Sequence, residues 1–269
     1  MTDCLQATAA DLPELTALWH DCFDDEPEQI SAFWRTLFAK IQVYALRRDG
    51  QLAAMVCALP TVFLSEDGGE SPTAYLYAAC TAPRWRGKGL FRTLTAFAEE
   101  ALRQGGVAYT ALVPANAPLF AFYEKLGYAA ICRHNTETLP AAASALRVSR
   151  LDAQGYRNLR QLQLYGDFLD YGTAFLTWQA LSCEHSGAGL FRLETQELVC
   201  CAAAVRRGDT LLCQELLPNC PAAATALAAQ LGCKQVCVRT VGKDAIFGMM
   251  KALSGQTLPK NAYLGLAFD

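Results

Sequence analysis

Apolar side chains recur every three or four residues in two segments near the start of the chain, which predicts two amphipathic helices. The first segment begins after Thr8 and Asp11, both good helix caps, and carries Leu12, Leu15, Leu18 and Trp19. The second covers residues 29–38. An acidic run separates them, formed by Asp21, Asp24, Asp25, Glu26 and Glu28. We expect each helix to bury one face and to leave the acidic connection at the surface.

Apolar runs bounded by turn residues predict strands over 43–47, 52–59 and 75–81. Asp49 and Gly50 stand between the first two runs and are typical of a hairpin turn. A helix is expected over 90–104, a strand over 107–113 and a helix over 118–126. Strands alternating with helices predict an α/β fold with a mixed central β-sheet flanked by helices.

The second half of the chain repeats this order after a connector-like stretch at 139–143. Strands are predicted over 189–195, 197–206, 210–217 and 235–240, with a helix over 221–231 after the third of them. A short helix over 244–253 and a strand over 262–268 complete the pattern. We interpret the chain as a diverged internal duplication with domains at 1–138 and 139–269.

The overall composition indicates an ordinary folded enzyme or binding protein. Of the 269 residues, 52% are hydrophobic and 18% charged, which excludes a disordered chain or a coiled coil. The net charge of −3 argues against a nucleic-acid partner. No apolar stretch approaches the ~18 residues of a membrane span, and the first residues are acidic rather than basic. We therefore expect a cytoplasmic protein that does not engage membranes.

Twelve cysteines are scattered along the chain without a metal-binding pattern. No Cys-x-x-Cys occurs, and no cysteine stands at ligand spacing from His20, His134 or His185. Most lie in apolar, strand-like surroundings, where the thiol packs as a small hydrophobic group. We expect no metal site.

A basic, glycine-containing loop follows the strand at 75–81 and is the segment most indicative of chemistry. Arg84, Arg86, Lys88 and Arg92 cluster at the start of the next helix, with no acid before Glu99. A helix N-terminus already carries positive charge, so this arrangement indicates a bound anion. Gly87 and Gly89 allow backbone N–H groups to approach a phosphate closely. The spacing matches neither the P-loop nor the Gly-x-Gly-x-x-Gly dinucleotide motif.

The pattern Arg84-x-x-Gly87-x-Gly89 resembles the pyrophosphate loop of the GCN5-related N-acetyltransferase (GNAT) superfamily. A second motif, from Asn116 through Tyr123-Glu-Lys-Leu-Gly to Tyr128, is similar to that family's closing motif. The tandem layout resembles the enhanced-intracellular-survival acetyltransferases. The resemblance implies a tandem GNAT fold that uses acetyl-coenzyme A (acetyl-CoA). The second copy lacks the loop and is expected to be degenerate.

The resemblance also assigns roles to individual positions. The backbone of Ala79, Cys80 and Thr81 and the side chain of Asn116 would contact the pantetheine arm. The pyrophosphate would be held by Arg86, Gly87, Lys88, Gly89, Leu90, Phe91 and Arg92. Tyr123 would face the thioester sulfur as general acid, since a phenol is well matched to a thiolate leaving group. The terminal carboxylate of Asp269 is a candidate base, although a solvated chain end is an equal alternative.

The resemblance implies an N-acetyltransferase that transfers acetyl to a primary amine of a small molecule or peptide, by direct attack in a ternary complex. The strand at 75–81 has no carboxylate to serve as base. Asp24, Asp25, Glu26 and Glu28 either bind a cationic amine or form an ordinary exposed loop. The alternatives are a non-catalytic acyl-CoA sensor and an aminoacyl-transferring relative of the same fold. Assembly of the chain as a homo-oligomer stays open.

Overall fold

One mixed β-sheet forms the centre of the fold in the computed structural model, which describes residues 2–266. The strands are β1 (Thr2–Gln6), β2 (Gln42–Arg48), β3 (Gln51–Leu64), β4 (Glu70–Thr81), β5 (Tyr109–Leu112), β6 (Ala129–Pro140), β7 (Arg147–Arg150), β8 (Phe168–Tyr171), β9 (Gly189–Glu194), β10 (Val199–Arg207), β11 (Thr210–Leu217) and β12 (Gln235–Ala252). The helices are α1 (Leu12–Cys22), α2 (Pro27–Leu37), α3 (Leu90–Gln104), α4 (Ala117–Glu124), α5 (Ala153–Gln163), α6 (Thr173–His185) and α7 (Pro221–Gln230).

The strand order is nearly symmetric about the middle of the sheet. It runs β1-β2-β3-β4-β5-β12-β11-β10-β9-β7, with β6 also paired to β12 and β8 to β3. In each half a parallel pair, β4/β5 or β11/β12, is connected through a helix, α3 or α7. The two halves therefore repeat one supersecondary pattern, and the tandem α/β fold expected from the sequence is confirmed.

The β3 strand shows why the apolar runs are continuous rather than alternating. Met55, Cys57 and Leu59 belong to the core beneath α1, α2 and α6, whereas Ala54, Val56 and Ala58 pack with α3. A strand covered on both faces needs apolar side chains at every position. On the second half, α7 covers the strands on the side opposite α5 and α6.

The helices predicted in the first half agree closely with the structure. α2 buries the expected face, formed by Ile30, Phe33, Trp34 and Leu37. α3 has the expected bounds, and its buried residues include Leu90, Leu94, Ala98 and Leu102. The Asp49-Gly50 turn is also confirmed, since both residues have positive φ, +52° and +81°, as a two-residue hairpin requires.

The predicted helix over 244–253 is wrong, because these residues continue β12. Met249 and Met250 are fully buried and pair with Leu112 and Ala111 of β5, while residues 245–250 also pair with β6. Such long-range pairing overrides a local apolar pattern. The sequence analysis also missed six elements, namely β1, β6, β7, β8, α5 and α6.

Two further expectations concern the boundary between the halves and the chain end. Leu139 and Pro140, expected to begin a connector, are the last residues of β6 and pair with Val236 and Gln235. The division into 1–138 and 139–269 remains a prediction. Of the expected strand over 262–268, Ala262 and Tyr263 form single bridges to Cys132 and Phe168, and residues 267–269 lie outside the described range.

None of the helices in residues 2–266 combines the length and hydropathy of a segment that crosses a bilayer. All twelve cysteines are free thiols; eight are buried and four are half-buried. The packing role expected for most of them is confirmed.

Candidate active site

The strands β4 and β5 separate partway along their length and open a cleft in the sheet. Their pairing extends from Thr73–Tyr109 to Tyr75–Ala111. On the other side of β4 the register with β3 shifts between Met55 and Cys57, and Ala78 has a φ of +50°. This bulge bends the end of β4 away from β5. The β5-facing backbone edge of β4 beyond Tyr75 therefore borders the cleft.

The basic loop at the end of β4 leads directly into the N-terminus of α3. Gly87 and Gly89 have φ values of +75° and +74°, a region that favours glycine, and a Cβ at either position would meet no heavy atom within 4 Å. The first turn of α3 contains no acidic residue. Open space in front of backbone N–H groups at a helix N-terminus suits a phosphate, so the loop fits a pyrophosphate. The Arg86 side chain folds back, and its Nε donates to the Thr81 carbonyl oxygen at 3.0 Å.

A cavity of about 710 Å³ continues from this cleft towards the second half of the chain. Its wall includes Ala78 and Ala79 of β4, Leu112 of β5 and Tyr123 of α4. The Tyr123 ring packs against Phe91, Phe122 and Tyr128, with ring centroids 6.4, 5.3 and 5.5 Å away. Burial raises the pKa of the Tyr123 phenol above its usual value, so this hydroxyl stays protonated at neutral pH and can only donate its proton there.

A buried hydrogen-bond network fixes Tyr128, the ring that packs on Tyr123. The Tyr128 hydroxyl donates to Glu99 Oε1 at 2.9 Å and accepts from the Thr110 hydroxyl at 3.0 Å. Lys251 Nζ donates to the other oxygen of Glu99 at 2.5 Å. Since Lys251 lies on β12, the second half of the chain helps to hold the tyrosine pair of the first.

Two carboxylates of the acidic run, Asp24 and Asp25, line the same cavity. Trp19 Nε1 donates to Asp25 Oδ2 at 2.7 Å and holds this carboxylate in the wall. Asp21, Glu26 and Glu28 are not among the residues that line the cavity. The acidic run is therefore divided into a part that faces the cavity and a part that does not.

The β12 strand contributes Arg239, Ile246 and Phe247 to the cavity, and sequence reasoning missed all three. The Arg239 guanidinium lies 4.1 Å from the centroid of the Phe247 ring. The strand predicted over 235–240 contains Arg239 and the helix predicted over 244–253 contains Ile246 and Phe247, but no local signal connected these residues with the cavity. Their approach to Tyr123 depends on the pairing of β12 with β5.

The structure brings some of the predicted site residues together and leaves others apart. Ala79 and Tyr123 share the cavity wall, whereas Cys80 and Thr81 follow on β4 outside the lining residues. The residues from Arg86 to Arg92 form the loop and the first turn of α3. Asn116 is exposed, precedes α4 and adjoins the lining residue Ala115. Asp269 lies outside the described residues.

The corresponding segment of the second half differs in chemistry. α7 begins at Pro221, which has no N–H group, and residues 217–222 contain neither glycine nor a basic side chain. These differences agree with the expectation that the second copy does not bind a pyrophosphate.

Solved structures with this fold cover almost the whole chain. A probable N-acyltransferase from Enterococcus faecalis has a TM-score of 0.70 at 16% identity, covering 94% of this chain and 73% of its own. A GCN5-related N-acetyltransferase from Anabaena variabilis has a TM-score of 0.73 at 15% identity, and the superposition covers 94% of this chain and 73% of that chain. Eis1 from Mycobacterium abscessus has a TM-score of 0.68 at 10% identity, and the superposition covers 94% of this chain and 74% of that chain. At these identities the likeness shows the fold.

The sequence itself identifies the family of the N-terminal part. No curated protein sequence matches the chain. Residues 4–131 match the family model described as an acetyltransferase (GNAT) domain. These residues include both motifs on which the resemblance was based, so the expected family is confirmed. The chain therefore contains an acetyltransferase domain of the GNAT family, which spans residues 4–131.

Proposed function

We propose that the protein transfers the acetyl group of acetyl-CoA to a primary amine of a cationic small molecule or peptide. The observation that carries this proposal is the shared cavity, which joins the open edge of β4, the protonated Tyr123 and the carboxylates of Asp24 and Asp25. The proposed binding edge for the acetyl donor, the phenol that would donate a proton and the carboxylates that would attract an ammonium group thus face one cavity.

Acetyl-CoA, the acetyl donor of GNAT enzymes, supplies an activated thioester. The open space in front of Gly87 and Gly89 supports pyrophosphate binding by the backbone N–H groups from Arg86 to Arg92. The open β4 edge supports pairing of Ala79, Cys80 and Thr81 with the pantetheine amides, in the manner of an added strand. Asn116, exposed just before α4, would contact the same arm.

Three groups of this chain would manage the chemistry once donor and acceptor are bound. Backbone N–H groups at the β4 bulge, near Ala78 and Ala79, polarise the thioester carbonyl. The Tyr123 hydroxyl donates its proton to the departing sulfur. The bound ammonium first gives one proton to a carboxylate, for which Asp269 is the sequence-based candidate, and the neutral amine then attacks the thioester carbonyl. As the C–N bond forms and the C–S bond breaks, the nitrogen loses a second proton, which restores the Tyr123 hydroxyl. Direct attack in a ternary complex requires no covalent intermediate on the protein.

The acceptor is a cation: among the described lining residues the two carboxylates, Asp24 and Asp25, outnumber the one guanidinium, Arg239, which supports binding of an ammonium group. Asp25 is held by Trp19 and cannot easily turn away, so it presents a fixed negative charge. We place the reaction in the cytoplasm, and the twelve unpaired thiols agree with a reducing compartment.

The first test is calorimetric titration with acetyl-CoA on the wild type and on Gly89→Glu. The added carboxylate would stand where the pyrophosphate binds, so binding by the wild type and its loss in the variant are expected. A wild type that binds no acetyl-CoA would contradict the proposal.

The acceptor class is tested by steady-state kinetics with primary amines. Asp24→Asn combined with Asp25→Asn should raise the KM for a diamine about tenfold, as expected for loss of ~1.4 kcal/mol of charge attraction. The control is Asp21→Asn combined with Glu28→Gln, which removes the same charge from positions outside the cavity lining. Equal effects of the two pairs, or an unchanged KM, would contradict a specific role for the cavity carboxylates.

A further inference from the structure

Arg48 is placed beside the basic loop by the hairpin between β2 and β3. It pairs with Gln51 across the two-residue turn at Asp49 and Gly50. This turn lies at the same end of the sheet as the last residues of β4, since Ala54 of β3 pairs with Thr81. The tight turn gives Arg48 a defined position near the N-terminus of α3.

Three cationic side chains lie close to the indole ring of Trp85. Lys88 Nζ lies 4.6 Å from the ring centroid, and the guanidinium carbons of Arg48 and Arg84 lie at 5.0 and 5.8 Å. The same aromatic ring thus contacts a side chain from the hairpin and two side chains from the loop. Cation–π contacts at a partly exposed ring are weak individually. They orient the side chains more than they neutralise them.

The positive charge of this cluster is poorly balanced by acids. Within residues 2–266, Arg84, Lys88 and Arg92 form no ion pair with a carboxylate at 4 Å or less. Arg48 reaches Asp49 at a marginal 3.7 Å, and both side chains are partly exposed. The cluster also stands beside the positive end of α3. A group of like charges held this close is stabilised by a multiply charged anion.

We infer that Arg48, Lys88 and Arg84, ordered by Trp85, bind the 3′-phosphate of coenzyme A, in addition to the pyrophosphate at Gly87 and Gly89. This inference rests on the proposed use of acetyl-CoA. A phosphate monoester carries −1.5 to −2 charges at neutral pH, more than either phosphate of a diester linkage, and it accepts charge-assisted hydrogen bonds from guanidinium groups. Arg48 is the new assignment, because it comes from outside both sequence motifs.

The test compares coenzyme A with 3′-dephospho-coenzyme A by calorimetry at low salt. The wild type should bind coenzyme A about tenfold more tightly, as expected for charge-assisted hydrogen bonds to one phosphate. Arg48→Gln should remove most of this preference and leave the affinity for the dephosphorylated ligand unchanged. Arg48→Lys should keep most of it, because the charge remains. Lys40→Gln removes the same charge just before β2, whose six steps from Gln42 to Arg48 span ~20 Å, and should change neither affinity.

The outcomes separate this inference from the proposed function. If the wild type binds both ligands equally, or Arg48→Gln weakens both equally, the 3′-phosphate assignment is wrong while coenzyme A binding stands. If the wild type binds neither ligand, the proposed function and this inference are both overturned. Arg48 is a partly exposed hairpin residue, so its variants are expected to fold, and thermal melting checks this directly.

Discussion

Replacement of Tyr123 by Phe removes one hydroxyl from the wall of the cavity. Phe keeps the ring contacts with Phe91, Phe122 and Tyr128. No hydrogen bond joins the Tyr123 hydroxyl to another residue among those described, so the variant leaves no described donor or acceptor unpaired. The free energy of unfolding should therefore change by less than ~0.5 kcal/mol.

The same variant should slow acetyl transfer strongly if Tyr123 protonates the departing sulfur. Loss of a general acid lowers kcat by roughly 10²–10⁴-fold, or about 3–5 kcal/mol in activation free energy. The KM values for acetyl-CoA and the amine should stay close to those of the wild type, because the hydroxyl acts in the transition state. The assay follows thioester loss by ultraviolet absorbance, which avoids thiol reagents that would modify cysteines of the protein.

Tyr109→Phe is a matched control, since Tyr109 is also a buried tyrosine with a burial-raised pKa but does not line the cavity. It loses a hydrogen bond to the Thr257 carbonyl, at a cost of ~1 kcal/mol in stability, and should keep its kcat. A Tyr123→Phe variant within threefold of wild-type kcat would refute the general-acid role. A wild type that binds acetyl-CoA without turning over any amine would favour a sensor.

The pH dependence follows from the direction of the Tyr123 pKa. Burial raises this pKa above the ordinary value of ~10, and the protonated phenol is the active form. Activity that depends on Tyr123 is therefore present at neutral pH and is lost only as pH rises through the raised pKa. The wild-type kcat should show no decline from this group below about pH 10. A basic limb near pH 8 that disappears in Tyr123→Phe would contradict the reasoning.

Two further predictions concern stability and thiol reactivity. Arg160→Met should lower the free energy of unfolding by about 3–5 kcal/mol, because it leaves the Glu215 carboxylate buried without its cation; both side chains are fully buried in the wild type. Urea unfolding should show Arg160→Met with Glu215→Met to be less destabilised than the single variant, and additive losses would argue against this. The pKa of Cys22 is lowered to about 7, first by a hydrogen bond with Cys80, whereas burial raises that of Cys4. Iodoacetamide at neutral pH should therefore alkylate Cys22 faster than Cys4, and equal rates by mass spectrometry would refute this.

Local signals in the sequence were sufficient for α3 and for the basic loop before it. α3 has its expected bounds because it begins at a glycine with positive φ and ends at the Gly105-Gly106 pair. The loop from Arg84 to Gly89 showed its chemistry through spacing and charge, since neither depends on distant residues. Both motifs, the second of which contains Tyr123, lie within residues 4–131, which match the acetyltransferase (GNAT) domain.

The tertiary structure decided the shape of the cavity and the residues that face it. The residues from Asp244 to Ala252 have a helix-like apolar pattern, yet they form a strand because β5 and β6 offer backbone partners. That pairing brings Phe247 into the wall of the cavity that Asp24 and Asp25 also line. The placement of Arg48 against Trp85 likewise required a hairpin and a loop to meet at one end of the sheet.

There is a physical reason why some features were predictable from the sequence and others depended on the tertiary structure. Caps, glycine φ values and charge at a helix end act over a few residues, so the amino-acid sequence by itself determines α3 and the basic loop before it. Strand pairing depends on which edges become available elsewhere in the chain, and no window of sequence contains that information. The loop and helix proposed to hold the donor were therefore predictable from the sequence, whereas the cavity wall that includes Asp25, Arg239 and Phe247 emerged only when the two halves formed one sheet.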